Sequence, residues 1–93
     1  MPSKEKLLKK LFQKRLPRNF TKQELDALMA RCGCEKGQGG RGSGIRYIHV
    51  STGRILAFDE PHPDNELHPY QIRMTRRYLR EIGEYVEEGT DGV

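Results

Sequence analysis

Residues 45–50, IRYIHV, alternate between the two faces of an extended chain, and this pattern constrains the fold more than any other feature of the sequence. Ile45, Tyr47 and His49 share one face, because successive side chains of a strand point to opposite sides. A Ser-Thr-Gly turn follows, and residues 55–58 have the composition of a returning strand. The sequence therefore predicts a β-hairpin in the middle of the chain.

Segments with helical periodicity lie on both sides of this hairpin. Residues 4–16 place leucines on one side and lysines elsewhere, which indicates an amphipathic helix. A second helix begins at Thr21, because Thr21 and Glu24 form a T-x-x-E capping box, and Gly33 supplies its left-handed C-cap. Pro69 fits the first turn of a final helix. The apolar stripe of that helix consists of Ile72, Thr75, Leu79, Ile82 and Val86.

The order of these elements defines the fold class. Residues 34–36 are predicted to form a further short strand, so the order is helix, helix, strand, hairpin and helix. A chain of 93 residues, of which 32% are charged and 34% hydrophobic, supports one small domain with a thin core. The sequence therefore predicts the α+β class, with helices covering one side of a single sheet.

The cysteines and the apolar content indicate where such a protein works. Cys32 and Cys34 are separated by one glycine, too close for an ordinary disulfide, which suits a reducing compartment. A zinc site would need two more ligands, and no second cysteine pair or His-x-x-x-His motif supplies them. No apolar run is long enough to span a bilayer, and no signal peptide is visible. We expect a cytoplasmic protein that binds no metal or other cofactor and no membrane.

The charges are distributed unevenly along the chain. Residues 1–20 carry seven lysines and arginines and one acid, whereas residues 51–68 carry one arginine and four acids. The basic half predicts contact with nucleic acid or with an acidic partner. The alternative is a helix face that only keeps the protein in solution.

The glycine run between the second helix and the hairpin raises the question of nucleotide binding. Gly37, Gly39 and Gly42 match G-x-G-x-x-G, but in a dinucleotide-binding fold this motif follows a strand and opens a helix. Here the motif leads into a strand and does not open a helix, and it lacks the G-K-[ST] ending of a P-loop. The run therefore predicts a loop whose amides and Arg41 can approach a phosphate backbone. A connection that binds no ligand is the alternative.

Three motifs in this order resemble the HicA family of toxins: GSGIRY at residues 42–47, GRI at 53–55 and PHP at 61–63. The resemblance covers residues 20–83, and FTKQELDALMARCGCE is similar to the first helix of that family. It implies a fold like that of a double-stranded-RNA-binding domain, with the order α-β-β-β-α and a three-stranded antiparallel sheet. The basic helix before it resembles an N-terminal extension.

The resemblance implies a toxin of a type II toxin–antitoxin system. Such toxins are metal-independent endoribonucleases that cleave messenger RNA (mRNA) by attack of the ribose 2′-OH, and a HicB antitoxin neutralises them. The family's catalytic histidine follows G-S, where this sequence has Gly44. His62 or His49 would then have to act as acid or base. The alternative for His62 is a histidine that holds the loop by a hydrogen bond. The alternative for His49 is a half-buried side chain. The expected RNA-binding residues are Lys36, Arg41, Ser43 and Arg46.

On this interpretation the chain has three parts: a basic helical extension at residues 1–19, a HicA-like domain at 20–86 and a flexible tail at 87–93. Loss of the family histidine leaves two other functions open. One is a non-catalytic module that holds RNA by its shape and phosphates; the other is a protein-interaction domain whose first helix docks on an acidic partner. The final helix also carries a stripe of arginines, for which three roles are open: contact with RNA, contact with the antitoxin or exposure to water. The stripe comprises Arg73, Arg76, Arg77 and Arg80.

Overall fold

The computed structural model describes residues 3–38, 44–60 and 65–86, in which three helices and one three-stranded antiparallel sheet follow one another. The sheet order is β1-β2-β3, so β2 is central and lies between its two sequence neighbours. The α+β class predicted from the sequence is confirmed. The elements are α1 (Lys4–Leu11), α2 (Lys22–Arg31), β1 (Cys34–Gln38), β2 (Gly44–His49), β3 (Ile55–Asp59) and α3 (Pro69–Glu81).

Helix α2 begins and ends where its capping signals predict. The Thr21 hydroxyl accepts a hydrogen bond from the amide of Glu24 at 3.1 Å, and the Glu24 carboxylate accepts one from the amide of Thr21 at 2.9 Å. Phe20 and Leu25, which flank this capping box, are fully buried and occupy the two positions of a hydrophobic staple. Gly33 follows the helix with φ at +78°, a conformation that costs glycine little.

Helix α1 ends earlier than predicted. The sequence predicts a helix over residues 4–16, whereas α1 ends at Leu11. The carbonyl of Leu11, which a longer helix would bond to the amide four residues on, instead accepts a hydrogen bond from Nε of Arg76 at 2.7 Å. Nη2 of the same guanidinium bonds the carbonyl of Gln13 at 2.8 Å. A side chain of α3 therefore provides the hydrogen bonds for two backbone carbonyls at the end of α1. No local sequence signal predicts this end.

The hairpin has the two faces that the alternation predicts. Ile45, Tyr47 and His49 are 4%, 1% and 4% exposed, while the residues between them are only half buried. Tyr47 of β2 lies opposite Lys36 of β1 and Leu56 of β3, which sets the register of both strand pairs. The helices cover the buried face and leave the other face of the sheet open.

One hydrophobic cluster holds the described residues together, and α1 is part of it. Leu7 and Leu11 of α1 are 1% and 0% exposed and belong to the same cluster as the buried residues of α2, the sheet and α3. The first helix therefore packs against the rest of the fold rather than standing apart from it. Among the described residues, no helix combines the length and apolar character needed to cross a membrane.

Helix α3 follows its predicted stripe except at the last position. Four of the five predicted residues are buried, but Val86 is 77% exposed. The chain leaves the helix after Glu81, and Gly83 turns it with φ at +78°. The amide of Glu84 then bonds the carbonyl of Leu79 at 3.0 Å, so Val86 no longer follows the helical spacing.

Candidate nucleic-acid interface

The structure separates the site residues that the sequence predicts. Lys36 lies on the helix-covered face of the sheet, and Arg46 lies on the open face. His49 also lies on the helix-covered face, at the end of β2. No single surface therefore carries all three. Three further predicted residues lie outside the described part of the chain: Arg41, Ser43 and His62.

His49 is enclosed, and both of its ring nitrogens have partners. Nδ1 lies 2.9 Å from the hydroxyl of Thr52, and Nε2 lies 3.2 Å from a carboxylate oxygen of Glu84. With 4% of its surface exposed, the ring has little access for an RNA substrate. This arrangement fits a half-buried histidine better than an acid or base that is open to substrate.

Glu84 connects the end of β2 to the first helix. Nζ of Lys4 lies 2.8 Å from Oε1 of Glu84, while Oε2 faces His49. The hydrogen bond from Lys4 lowers the pKa of the Glu84 carboxyl below its usual value; burial opposes this, and His49 adds to it. The start of α1, the end of β2 and the segment after α3 therefore meet at one charged contact.

This contact predicts a dependence of stability on pH. A carboxyl whose pKa is lowered by folding stabilises the folded state above its unfolded pKa, near 4.5, and loses that contribution as the pH falls through the folded pKa. We expect Glu84→Gln to lower the free energy of unfolding by about 1 kcal/mol at pH 7 and by much less at pH 3. Urea denaturation at both pH values measures this difference.

The matched control is Glu35→Gln on β1, an exposed carboxylate whose replacement should change stability little at either pH. If Glu84→Gln lowers the free energy of unfolding as much at pH 3 as at pH 7, the charge of Glu84 is not the source of the stabilisation.

The charge of Lys36 already has a partner. Its Nζ lies 3.2 Å from Oδ2 of Asp26, and Oδ1 of the same carboxylate accepts a hydrogen bond from the hydroxyl of Tyr47. Burial and this hydrogen bond raise the pKa of Tyr47, so the phenol stays protonated and continues to donate. Asp26 therefore offsets the charge that Lys36 would present to a phosphate.

Arg46 lies across the open face of the sheet between two small residues. Gly37 of β1 and Ala57 of β3 are its register partners, and a Cβ on Gly37 would lie 3.8 Å from Cδ of the arginine. Its Nε is buried, and no described residue accepts a hydrogen bond from it. Glu35 and Asp59 occupy the same face, so its strand residues carry one positive and two negative charges. This face is poorly suited to a polyanion.

A different surface collects positive charge: a groove between the α1–α2 connection and the start of α3. We call it the arginine groove, and its volume is about 650 Å³. Among the described residues that line it, Glu66 is the one acid. None of its three arginines forms an ion pair with a described carboxylate, and all three are exposed. These arginines are Arg15, Arg18 and Arg73.

Tertiary contacts hold the two walls of the arginine groove in place. Arg76 bonds the carbonyls at the end of α1, and the ring of Phe12 stacks on Tyr85 with 3.6 Å between centroids. On the other side, the amide of Leu67 bonds the carbonyl of Phe20 at 2.8 Å. The connection that carries the first two arginines is therefore attached to α3 at one end and to the segment just before α3 at the other.

The chemistry of the arginine groove suits phosphate. A guanidinium stays charged at any physiological pH and offers paired donors that match the oxygens of a phosphate. The groove also borders Pro69 at the N-terminus of α3, where the helix dipole favours an anion. The sequence does not point to this site, because Arg15 and Arg18 are far from Arg73 along the chain and Arg73 stands out only as one arginine of the predicted stripe.

The described residues contain no group of three or more histidine, cysteine, aspartate or glutamate side chains suited to a metal ion. Cys32 and Cys34 are free and buried, and burial raises the pKa of the Cys32 thiol to about 11. A thiol that stays protonated at neutral pH is a poor nucleophile and a poor metal ligand. The cysteines therefore contribute to packing rather than to a reactive site.

The chain matches no protein-family model, no curated protein and no solved structure in comparisons with each.

Proposed function

We propose that this protein binds RNA and that the arginine groove contacts the phosphates. The observation that carries the proposal is the meeting of three arginines, none paired with a described carboxylate, around one groove whose described lining contains a single acid. Neutralising RNA phosphates releases bound counterions, which provides most of the affinity of such surfaces. The excess of basic residues in the first part of the chain supports the same proposal.

The order of elements supports a relation to HicA-like proteins. Helix α2, three antiparallel strands in the order β1-β2-β3 and helix α3 follow one another as in a double-stranded-RNA-binding domain. We therefore propose a HicA-like member of a toxin–antitoxin system, with mRNA and a HicB-like antitoxin as its partners, acting in the cytoplasm. Gly44 in the place of the family histidine and the enclosed ring of His49 favour a protein that binds RNA without cutting it.

A HicA-type endoribonuclease is the second candidate, favoured by the same order of elements. His62, which lies outside the described residues, would then have to move the proton of the ribose 2′-OH. Cleavage of RNA by the purified protein in EDTA, abolished by His62→Ala, would establish this function. Intact RNA after prolonged incubation would support binding alone.

Replacing the three arginines of the groove with glutamine tests RNA binding. We expect the triple variant R15Q/R18Q/R73Q to bind single-stranded RNA about 10- to 100-fold more weakly near 0.1 M salt, because three charge-assisted contacts are lost. The slope of log K against log salt should also fall, by roughly 0.7 for each phosphate contact that is lost. Fluorescence anisotropy with labelled RNA over a range of salt concentrations measures both quantities.

A charge-matched control separates a local contact from the overall charge. K6Q/K9Q/R54Q removes the same number of positive charges from exposed positions outside the arginine groove. We expect this variant to lose at most about threefold in affinity, because distant exposed charges are screened by salt. If both triple variants lose affinity equally, the groove is not the RNA contact.

A further inference from the structure

We propose that the arginine groove binds a phosphomonoester at the end of a single-stranded RNA, rather than the phosphodiesters along its backbone. This inference rests on the proposed RNA-binding function and specifies the part of the RNA that the groove takes. It follows from three features of the described residues: the charge balance of the lining, the size of the groove and the way its walls are fixed.

The charge balance of the lining matches a doubly charged group. Arg15, Arg18 and Arg73 carry three positive charges and Glu66 one negative charge, which leaves a net charge of +2. A phosphomonoester carries about −1.5 to −2 at pH 7, whereas a backbone phosphodiester carries −1. A terminal phosphate therefore neutralises the groove more completely than an internal one does.

The size of the arginine groove suits a terminal nucleotide. Its volume of about 650 Å³ lies within the roughly 300–1,000 Å³ of pockets that enclose small ligands. Leu16, Leu67 and Pro69 add an apolar wall beside the arginines, which suits the flat face of a nucleotide base.

The walls of the arginine groove are held before any ligand arrives. Arg76 bonds the carbonyls of Leu11 and Gln13 on one side. On the other side, an antiparallel β-bridge joins the backbones of Thr21 and Glu66. Little ordering of the backbone is then required on binding, and this preserves affinity for a small group such as a terminal phosphate.

The test compares RNAs that differ only at their ends. One labelled single-stranded oligoribonucleotide is prepared with a 5′-monophosphate, with a 5′-hydroxyl and with a 3′-monophosphate, and its binding to the full chain is measured by anisotropy. We expect a phosphorylated end to bind about tenfold more tightly than the hydroxyl form, because it adds charge-assisted bonds to two or more arginines. Comparing the 5′- and 3′-phosphates shows which end the groove prefers, and equal affinities above that of the hydroxyl form mean that it takes either.

The variant Arg73→Gln should abolish the preference for the phosphorylated end. Arg77→Gln is the matched control: it lies one turn further along α3, pairs with Glu81 and is absent from the lining, so the preference should remain. Competition by adenosine 5′-monophosphate and by inorganic phosphate should be seen with the wild-type chain and not with Arg73→Gln.

The outcomes separate this inference from the proposed function. If the hydroxyl and phosphorylated RNAs bind equally, the inference is wrong while RNA binding stands. If no RNA binds but the nucleotide and inorganic phosphate do, the proposed function fails, and the groove is a phosphate site that serves another ligand. If neither RNA nor phosphate binds, both are overturned.

Discussion

Replacing Leu11 with alanine is expected to lower the free energy of unfolding by about 3 kcal/mol, because truncating a buried leucine loses transfer energy and leaves a cavity. Leu11 ends α1, is 0% exposed and belongs to the same hydrophobic cluster as Leu28 of α2 and Leu79 of α3. Urea denaturation followed by circular dichroism measures the loss.

Leu8→Ala provides the matched control on the same helix. Leu8 is only half buried and packs at the margin of the cluster, so its truncation should cost about 1 kcal/mol. A loss below 1 kcal/mol for Leu11→Ala would show that α1 does not share the core.

The expected loss for Leu11→Ala bears on how the chain is divided. The sequence predicts that residues 1–19 are an extension added to a domain at 20–86. In the structure, two leucines of α1 enter the hydrophobic cluster, and Lys4 bonds Glu84 after α3. The first helix therefore contributes to the stability of the part that follows it. Its basic residues lie on a helix that packs against the core.

The parts of the fold that follow from neighbouring residues could be predicted from the sequence. The capping box of Thr21 and Glu24 sets the start of α2, because both hydrogen bonds join residues three positions apart. Alternation around Tyr47 identifies the buried face of β2, since that face is fixed by the pleat of the strand itself. His49 shares this face, and this is why a half-buried ring is one of the two alternatives for it.

Features set by distant residues could not be predicted in this way. The end of α1 depends on Arg76, which is 65 positions from Leu11. Lys36 and Arg46 flank the glycine run in sequence, yet the register of β1 against β2 places them on opposite faces. Composition does not fix that register, because a loop rich in glycine permits several strand pairings.

The arginine groove illustrates the same limit. Arg15 and Arg18 flank Leu16-Pro17, while Arg73 lies more than fifty residues later. Only the packing of the α1–α2 connection against the start of α3 brings the three together. A proline-interrupted pair of basic residues near the end of a helix is the signal that could have been noted, but it does not name the third arginine.

Arg76→Ala is expected to cost about 2 kcal/mol of stability, because hydrogen bonds from a charged donor typically contribute about 1.5–3 kcal/mol. Its guanidinium donates to the carbonyls of Leu11 and Gln13 and lies 5.6 Å from the ring centroid of Phe12. The side chain also fixes one wall of the arginine groove, so RNA affinity should fall although Arg76 is not in the lining. Thermal unfolding and anisotropy measure the two effects.

Arg77→Ala is the control for this position, since Arg77 is exposed and pairs only with Glu81 among the described carboxylates. This substitution should lower the free energy of unfolding by less than about 0.5 kcal/mol. Arg76→Lys distinguishes charge from geometry, because a lysine keeps the positive charge but cannot bond both carbonyls with one planar fork. We expect it to recover only part of the stability and of the RNA affinity. Full recovery by lysine would mean that charge alone suffices, and an Arg76→Ala protein as stable as Arg77→Ala would show that the two carbonyl bonds do not hold the wall of the groove.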